Sequence, residues 1–355
     1  MTVPAVVMPQ PDDLHVHFRE GAALETTVPE MAAVFARAVA MPNLARPVVT
    51  GPDAVAYDAS LRAVAVAHGH PDFTPIVPLY LTPGTTPAHI AEAARLGVRA
   101  VKLYPAGATT ASDHGVKGLE PLDPVFDAMA SHDLLLLIHG EVTDPDVDLF
   151  DREAVFVARE LTRLRARHPT LRVVLEHVTT EAGVAAVQAA RDGRLAATIT
   201  PHHLLHDRNA LFAGGLRPHL YCLPIPKTRV DRKALLAAAT SGDPRFFLGS
   251  DSAPHPRKRK ESACCPAGVY TGAATLALYA EAFERADALA RLPDFASEFG
   301  ADFYGLPRNT RELELVREPW TLPAAVPFGD DVAVPYRAGE TLAWQVRVRT
   351  AQPRA

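Results

Sequence analysis

Cysteine is scarce in this chain of 355 residues. There are three, Cys222, Cys264 and Cys265, an odd number with no Cys-x-x-Cys spacing. That count argues against a disulfide framework and a structural zinc knuckle, and it suits a reducing cytoplasm. Long apolar runs are missing too: nothing approaches the roughly 18 unbroken apolar residues of a membrane span. The opening Met1-Thr2-Val3-Pro4 lacks the basic-then-apolar order of an export signal, so a soluble, unexported protein is expected. Excess positive charge is also absent, the formal net charge being -5. Such a chain has no general attraction to nucleic acid or to an anionic membrane. A single basic run, Arg257-Lys258-Arg259-Lys260, reads as solvated surface, and any anionic ligand would have to be held by local positive charge. Neither low-complexity tracts nor a 20 to 50 residue repeat occurs. What the chain does have is apolar content, at 48% hydrophobic, enough to bury a large core.

That apolar content is distributed as short runs alternating with longer amphipathic ones. Strands are expected up to the His15/His17 pair and at 37–41, 73–81, 98–105, 134–140, 171–178, 195–200 and 246–251. The run Leu-Leu-Leu-Leu-Ile-His-Gly is apolar throughout, as a strand buried on both faces should be. Helices fall between the strands: one from about Thr27, whose hydroxyl would cap it ahead of Pro29, one opened by Gly51-Pro52-Asp53, one from Thr86-Pro87 to Gly97, and others at 151–167, 180–193 and 230–239. Eight strands, each but the last followed by a plain helix, predict an α/β fold of the (β/α)8 TIM-barrel kind. The expected organisation is one domain over 1–355, with a barrel core at about 11–290. An amphipathic helix near 270–285 leads into a proline-rich C-terminal extension, about 291–355, packed outside the barrel or against a partner.

The polar residues then acquire places. Val16 between His15 and His17 makes a strand-like alternation that points both imidazoles the same way. Asn43 follows the second strand, Lys102 lies near the end of the fourth, His139 and His177 end the fifth and sixth, and Asp251 ends the eighth. In a barrel these C-terminal ends surround the active site. Neutral imidazoles and a carboxylate suit zinc or a similar divalent ion. A lysine among them is odd unless its amine is neutral, in which case it can add carbon dioxide to become a carbamate whose two oxygens bridge two metals. His202, His203 and His206 after the seventh strand read as loop or supporting residues, Cys222 as packing, and Cys264 and Cys265 as loop thiols.

The ordered set Pro11-Asp12-Asp13-x-His15-x-His17-x-Arg19, Met41-Pro42-Asn43-Leu44, Lys102-Leu103-Tyr104-Pro105-Ala106, His139-Gly140-Glu141-Val142-Thr143, Glu176-His177, Arg217-Pro218-His219-Leu220-Tyr221-Cys222-Leu223-Pro224 and Gly249-Ser250-Asp251-Ser252-Ala253-Pro254-His255 resembles the dihydroorotases of the amidohydrolase superfamily, in their shorter bacterial type, over nearly the whole chain. The resemblance implies two zinc ions per subunit held by His15, His17, His139, His177 and Asp251, bridged by carboxylated Lys102 and a hydroxide. It implies reversible closure of N-carbamoyl-L-aspartate to L-dihydroorotate, with Asp251 carrying the proton. It assigns the substrate carboxylate to Arg19, Asn43 and His255, the ring's amide edge to backbone groups of Leu223 and Ala267, and a further substrate contact to His139. A lid at 107–115 would reach the ligand through Thr109 and Thr110, and the subunits would form homodimers. Because the open substrate has one carboxylate more than the ring, closure should gain on opening as pH falls. The rival readings are another cyclic-amide hydrolase of the dihydropyrimidinase or hydantoinase kind, a non-catalytic relative, and a metal-storing protein.

Overall fold

The computed structural model describes residues 5–348. Strand β1 (Ala5–Pro9) precedes the barrel wall, which is made of β2 (Asp12–Val16), β3 (Arg37–Ala40), β4 (Thr74–Ile76), β5 (Leu79–Tyr80), β6 (Ala100–Leu103), β7 (Leu135–His139), β8 (Val173–Glu176), β9 (Leu195–Ile199) and β10 (Phe246–Leu248). All neighbours along the wall are parallel, in chain order, and helices separate most of them, which is the expected TIM-barrel arrangement. The hydrogen bonds run in two arcs, β2-β3-β4 and β5 to β10, rather than one closed ladder. At one seam the single strand expected at 73–81 is split into β4 and β5 around Val77-Pro78. Pro78 has no N–H to give to a ladder. At the other seam a single bridge, Val16 to Ser252, joins the ends of the wall, with Asp251 N–H donating to His15 O at 2.8 Å and His17 N–H to Ser252 O at 3.0 Å.

Period-two alternation sorts the wall into an inside and an outside. Inward residues form one cluster: Leu14, Val39, Ile76, Ala100, Leu135, Leu137, Val174, Ala196 and Phe247, with Phe299, Phe303 and Tyr304 plugging it. Their outward neighbours, such as Val101, Leu136, Val173 and Leu248, belong to the larger core under the helices. Counting by twos from the inward cluster reaches Lys102 from Ala100, His139 from Leu137, Glu176 from Val174, Thr198 from Ala196 and Gly249 from Phe247. A polar layer therefore lies directly on an apolar plug. Strand β2 enters that layer through an irregularity between Asp13 and Val16. Leu14 is inward while Val16 and Phe18 pack outward. Gly249 is required here, since a Cβ would stand 2.7 Å from Thr198 and 3.1 Å from the His15 Cβ.

Helix boundaries follow local chemistry. Thr50 and Thr86 each cap a helix with Pro at its start, in Gly51–Ala67 and Pro87–Arg95. The first helix departs from expectation, because Leu24–Ala32 begins before Thr27 and contains Pro29. The buried Thr27 hydroxyl instead donates to Phe18 O at 2.9 Å and Ala23 O at 3.1 Å, tying the helix to the end of the first barrel strand. Beyond the barrel, β11 (Glu312–Val316) lies between β1 and Gln345–Val348 in an antiparallel three-stranded sheet, so part of the proline-rich tail is ordered β structure built on the chain's own start.

Candidate metal centre and active site

The C-terminal ends of the wall bring the expected residues together. His15, His17, His139, His177, Asp251, Arg19, Asn43, Leu223, Ala267, Thr109 and Thr110 all line one cavity, together with Tyr104. Lys102 lies buried beneath its floor, its Nζ 5.0 Å from the centre of the Tyr104 ring. His255 joins through Arg19, whose Nη2 is 3.0 Å from His255 Nε2.

The imidazoles are packed ring to ring, with centroids 5.4 Å apart for His15 and His17, 5.0 Å for His15 and His177, and 4.8 Å for His139 and His177. Asp251 Oδ1 is 3.1 Å from His17 Nε2 and 3.4 Å from His15 Nε2. Ligand atoms of His15, His177 and Asp251 lie within 4.8 Å of one another. Two buried polar atoms of this group, Lys102 Nζ and His177 Nδ1, have no hydrogen-bond partner. Unpaired buried nitrogen is costly in a satisfied core and is what a ligand set shows when considered without its ion. His177 and Asp251 have left-handed backbones, at φ 41° and 47°, as does Arg19 at 69°. Strain of this sort is typical of positions held for a site.

Electrostatics favour neutral His17 and His177 beside the Asp251 carboxylate. Burial drives His17 down to about 3 and His177 well below its ordinary value. Burial also opposes ionisation of Asp251, yet hydrogen bonds from His15 and His17 outweigh it and hold the carboxyl well below the usual range. Burial resists charge on His15 as well, but the Glu176 carboxylate beside it shifts the ring upward. Lys102 is brought down to about 8 by burial, with Glu176 and Asp251 pulling the other way. A neutral amine, the form that reacts with carbon dioxide, is thus within reach near pH 8.

Several functional residues stand outside the expected set. Glu176 Oε2 is 2.5 Å from His15 Nδ1, which aims Nε2 at the cavity, and it also accepts from the Thr198 hydroxyl at 2.9 Å. Glu141 does the same for His139, at 2.8 Å from Nε2, leaving Nδ1 for the site. Asp13 Oδ1 accepts from the backbone N–H of His15 at 3.1 Å and of Ser250 at 2.9 Å, clamping the seam, and burial raises this carboxyl to about 6. A carboxylate next to or two positions from a strand-end histidine was the available signal for each residue, although the histidine next to Glu176 is His177 and not the His15 it meets.

The basic run 257–260 is only in part the solvated surface expected. Lys260 is 3% exposed. Its ammonium donates to Tyr221 O, Pro266 O and Gly268 O, each at 2.9 Å. Those carbonyls flank Leu223 and Ala267, so one cation ties together the two segments that bring these backbones to the cavity. The loop that holds Thr110 is stitched down beside them. Asn43 Nδ2 donates to Thr110 O at 3.1 Å, Ala267 N–H donates to the Thr110 hydroxyl at 3.1 Å, and that hydroxyl lies 3.2 Å from Ala267 O. Arg19 Nε donates to Pro254 O at 3.0 Å, leaving its terminal nitrogens toward His17 and His255. His255 Nε2 is 3.0 Å from both Arg19 Nη2 and Ala267 O, and a neutral ring serves one or the other according to its tautomer.

Known proteins resemble this chain across its length. The model of the Amidohydrolase family matches residues 1–315. A curated dihydroorotase from Teredinibacter turnerae is 55% identical over 338 residues, 95% of this chain and 97% of that protein. Another, from Nitrosococcus oceani, is 52% identical over 97% of this chain and 99% of its own length. Among solved structures, dihydroorotase from Saccharomyces cerevisiae in complex with 5-fluoroorotic acid superposes with a TM-score of 0.90 at 34% identity, covering 99% of this chain and 100% of that one.

Proposed function

This chain belongs to the amidohydrolase family and, within it, to the dihydroorotases, and from that premise we propose that its cavity interconverts N-carbamoyl-L-aspartate and L-dihydroorotate at a two-zinc centre. It is a hydrolase, and its reaction belongs to pyrimidine biosynthesis. The observation that carries the substrate reading is Arg19, a guanidinium facing the same cavity as the histidine and Asp251 cluster. A planar fork suits a carboxylate, and an uncharged ring would not need one. Dihydropyrimidinase and hydantoinase chemistry is therefore the weaker reading. The buried donor set fits a metal: His15, His17 and Asp251 would hold one zinc, His139 and His177 the other, and Lys102, carboxylated, would bridge them. When bound, such ions supply Lewis-acid polarisation of the ring amide carbonyl and a lowered pKa for water.

The chain's own residues do the rest. Asp251, ionised and beside His17 Nε2 at 3.1 Å, takes up a proton during ring opening and returns it to the departing ring nitrogen, and closure runs these transfers in reverse. Arg19, with Asn43 and neutral His255, fixes the substrate carboxylate. Leu223 and Ala267 offer backbone groups to the amide edge, and the bonds from Asn43 Nδ2 to Thr110 O and from Ala267 N–H to the Thr110 hydroxyl must give way to bonds to substrate. A homodimer and a cytoplasmic location are part of this proposal, the latter supported by three free cysteines. Light scattering on the purified chain tests the dimer.

The test of the reaction is turnover of L-dihydroorotate, with dihydrouracil and hydantoin in parallel, before and after chelation and zinc return. Chelator-sensitive opening of dihydroorotate alone is expected. Opening of the uncharged rings instead would overturn the substrate assignment. Arg19→Lys keeps the charge and loses the fork, so KM for dihydroorotate should rise by about 100-fold. An unchanged KM in that variant would remove Arg19 from the carboxylate contact. Lys260→Met matches the side chain's length while deleting its three hydrogen bonds. It should raise KM by about tenfold with metal content unchanged, and equal losses of metal and kcat would instead mark Lys260 as a general stability residue.

A further inference from the structure

Outside the barrel mouth, β9 runs into a short helix, Pro201–Leu205, that carries two adjacent buried histidines, His202 and His203, 3% and 2% exposed. Their rings are 4.5 Å apart. Cys222, 1% exposed, reaches them from the segment that bears Leu223. We propose that His202, His203 and Cys222 form a second cation site, separate from the catalytic centre, that takes one thiophilic ion such as Zn2+. None of the three lines the catalytic cavity, whereas Leu223, next to Cys222 in the chain, does.

Three observations carry the assignment. The ligand atoms of His202, His203 and Cys222 lie within 4.8 Å of one another. Cys222 Sγ is 3.7 Å from His203 Nε2, close to the edge of about 3.6 Å that a tetrahedral zinc with ordinary Zn–S and Zn–N bonds sets between sulfur and nitrogen. Most tellingly, both ring nitrogens of His202 are buried without any hydrogen-bond partner. A satisfied core histidine engages at least one of them, as His203 does with the Thr200 hydroxyl at 2.7 Å.

A fourth donor is at hand. Pro224 O is 3.0 Å from His203 Nε2 and 3.5 Å from Cys222 Sγ, on the same side of the cluster. To ligate through Nε2, His203 takes the tautomer with its one proton on Nδ1, donated to Thr200 Oγ1, so that Nε2 no longer donates to Pro224 O. His202 enters as a neutral imidazole. Cys222 gives its thiol proton to solvent as the metal–sulfur bond forms. Two nitrogens, one thiolate and a carbonyl or water make a set that favours zinc, cadmium or cobalt over calcium or magnesium.

The experiment uses sulfur as a reporter, because no cysteine lines the catalytic cavity. Holoenzyme carrying Cys264→Ser and Cys265→Ser is titrated with Co2+ or Cd2+, and thiolate-to-metal charge transfer is followed in the ultraviolet. A band that saturates at one ion per chain is expected, lost in Cys222→Ser and lost or much weakened in His202→Ala. Dihydroorotate turnover without added ion checks that each variant has folded. Should His202→Ala fail that check, His202→Gln, which keeps a polar group of similar reach, replaces it. No band in the folded parent would overturn the proposal. So would a band that survives Cys222→Ser, or one that the folded His202 variant leaves unchanged.

Discussion

Lys102→Ala should empty the catalytic centre of metal and lower dihydroorotate turnover by about 10⁴-fold or more, equivalent to at least ~5.5 kcal/mol of transition-state stabilisation. The Lys102 side chain is fully buried at the barrel's polar layer, and its Nζ has no hydrogen-bond partner among the described residues. Deleting it therefore breaks no hydrogen bond that holds the wall together. Burial already brings the amine down to about 8, a cost the alanine variant escapes. The fold should persist, with metal-free parent and variant melting within a few degrees of each other. What would be lost is the proposed carbamate, the group that would join the His15/His17 side of the centre to the His139/His177 side. Metal analysis of purified variant and parent is the direct measurement. Short carboxylic acids should restore part of the activity, since a carboxylate presents the same pair of oxygens in the space the side chain vacates. Two tightly held ions in Lys102→Ala would refute the bridging role.

The strand ends are legible in the sequence because each is fixed by a local signal, an apolar run buried on both faces that stops at a polar residue. That is why Lys102, His139, His177 and Asp251 can be placed from sequence, and why counting by twos along each strand puts the first two in the polar layer. Contacts that join distant stretches are not legible. Glu176 meets His15 across 161 positions, and nothing in either local sequence encodes the pairing. The same applies to β1, whose partner β11 lies some three hundred residues away. Lys260 misleads for another reason. In the single turn Arg257–Lys260, three basic side chains lie at or near the surface, and composition cannot tell which member of the run turns inward. The break at Val77-Pro78 is visible as a proline, but its consequence, a seam in the barrel, depends on what neighbours the strand has. Thr27 has the pattern of a cap because Pro29 follows it, whereas the 3-10 turn at Gly21–Ala23 starts the helix earlier and leaves that hydroxyl for Phe18.

Asp251→Asn should retain the fold and most of the metal while lowering kcat by about 10³-fold. Asparagine is the substitution that isolates the proton. It has the same size, keeps a carbonyl oxygen to face His17, and tolerates the left-handed backbone that Asp251 adopts at φ 47°. The backbone N–H that donates to His15 O across the barrel seam is untouched. Only the capacity to accept a proton and give it back disappears. In the metal-free chain, hydrogen bonds from His15 and His17 overcome burial and keep the carboxyl well below its ordinary range, and a cation bound in their place favours the same ionised form, so the base form is available throughout the neutral region and ring opening should lose activity only on the acid side. That acid limb should vanish in Asp251→Asn, the residual rate becoming flat with pH, because the group that titrates has gone. Metal content and KM near the parent values together with a lost limb would assign Asp251 to proton transfer. Turnover within about tenfold of the parent, with the acid limb intact, would move the proton to another group and leave Asp251 a ligand alone.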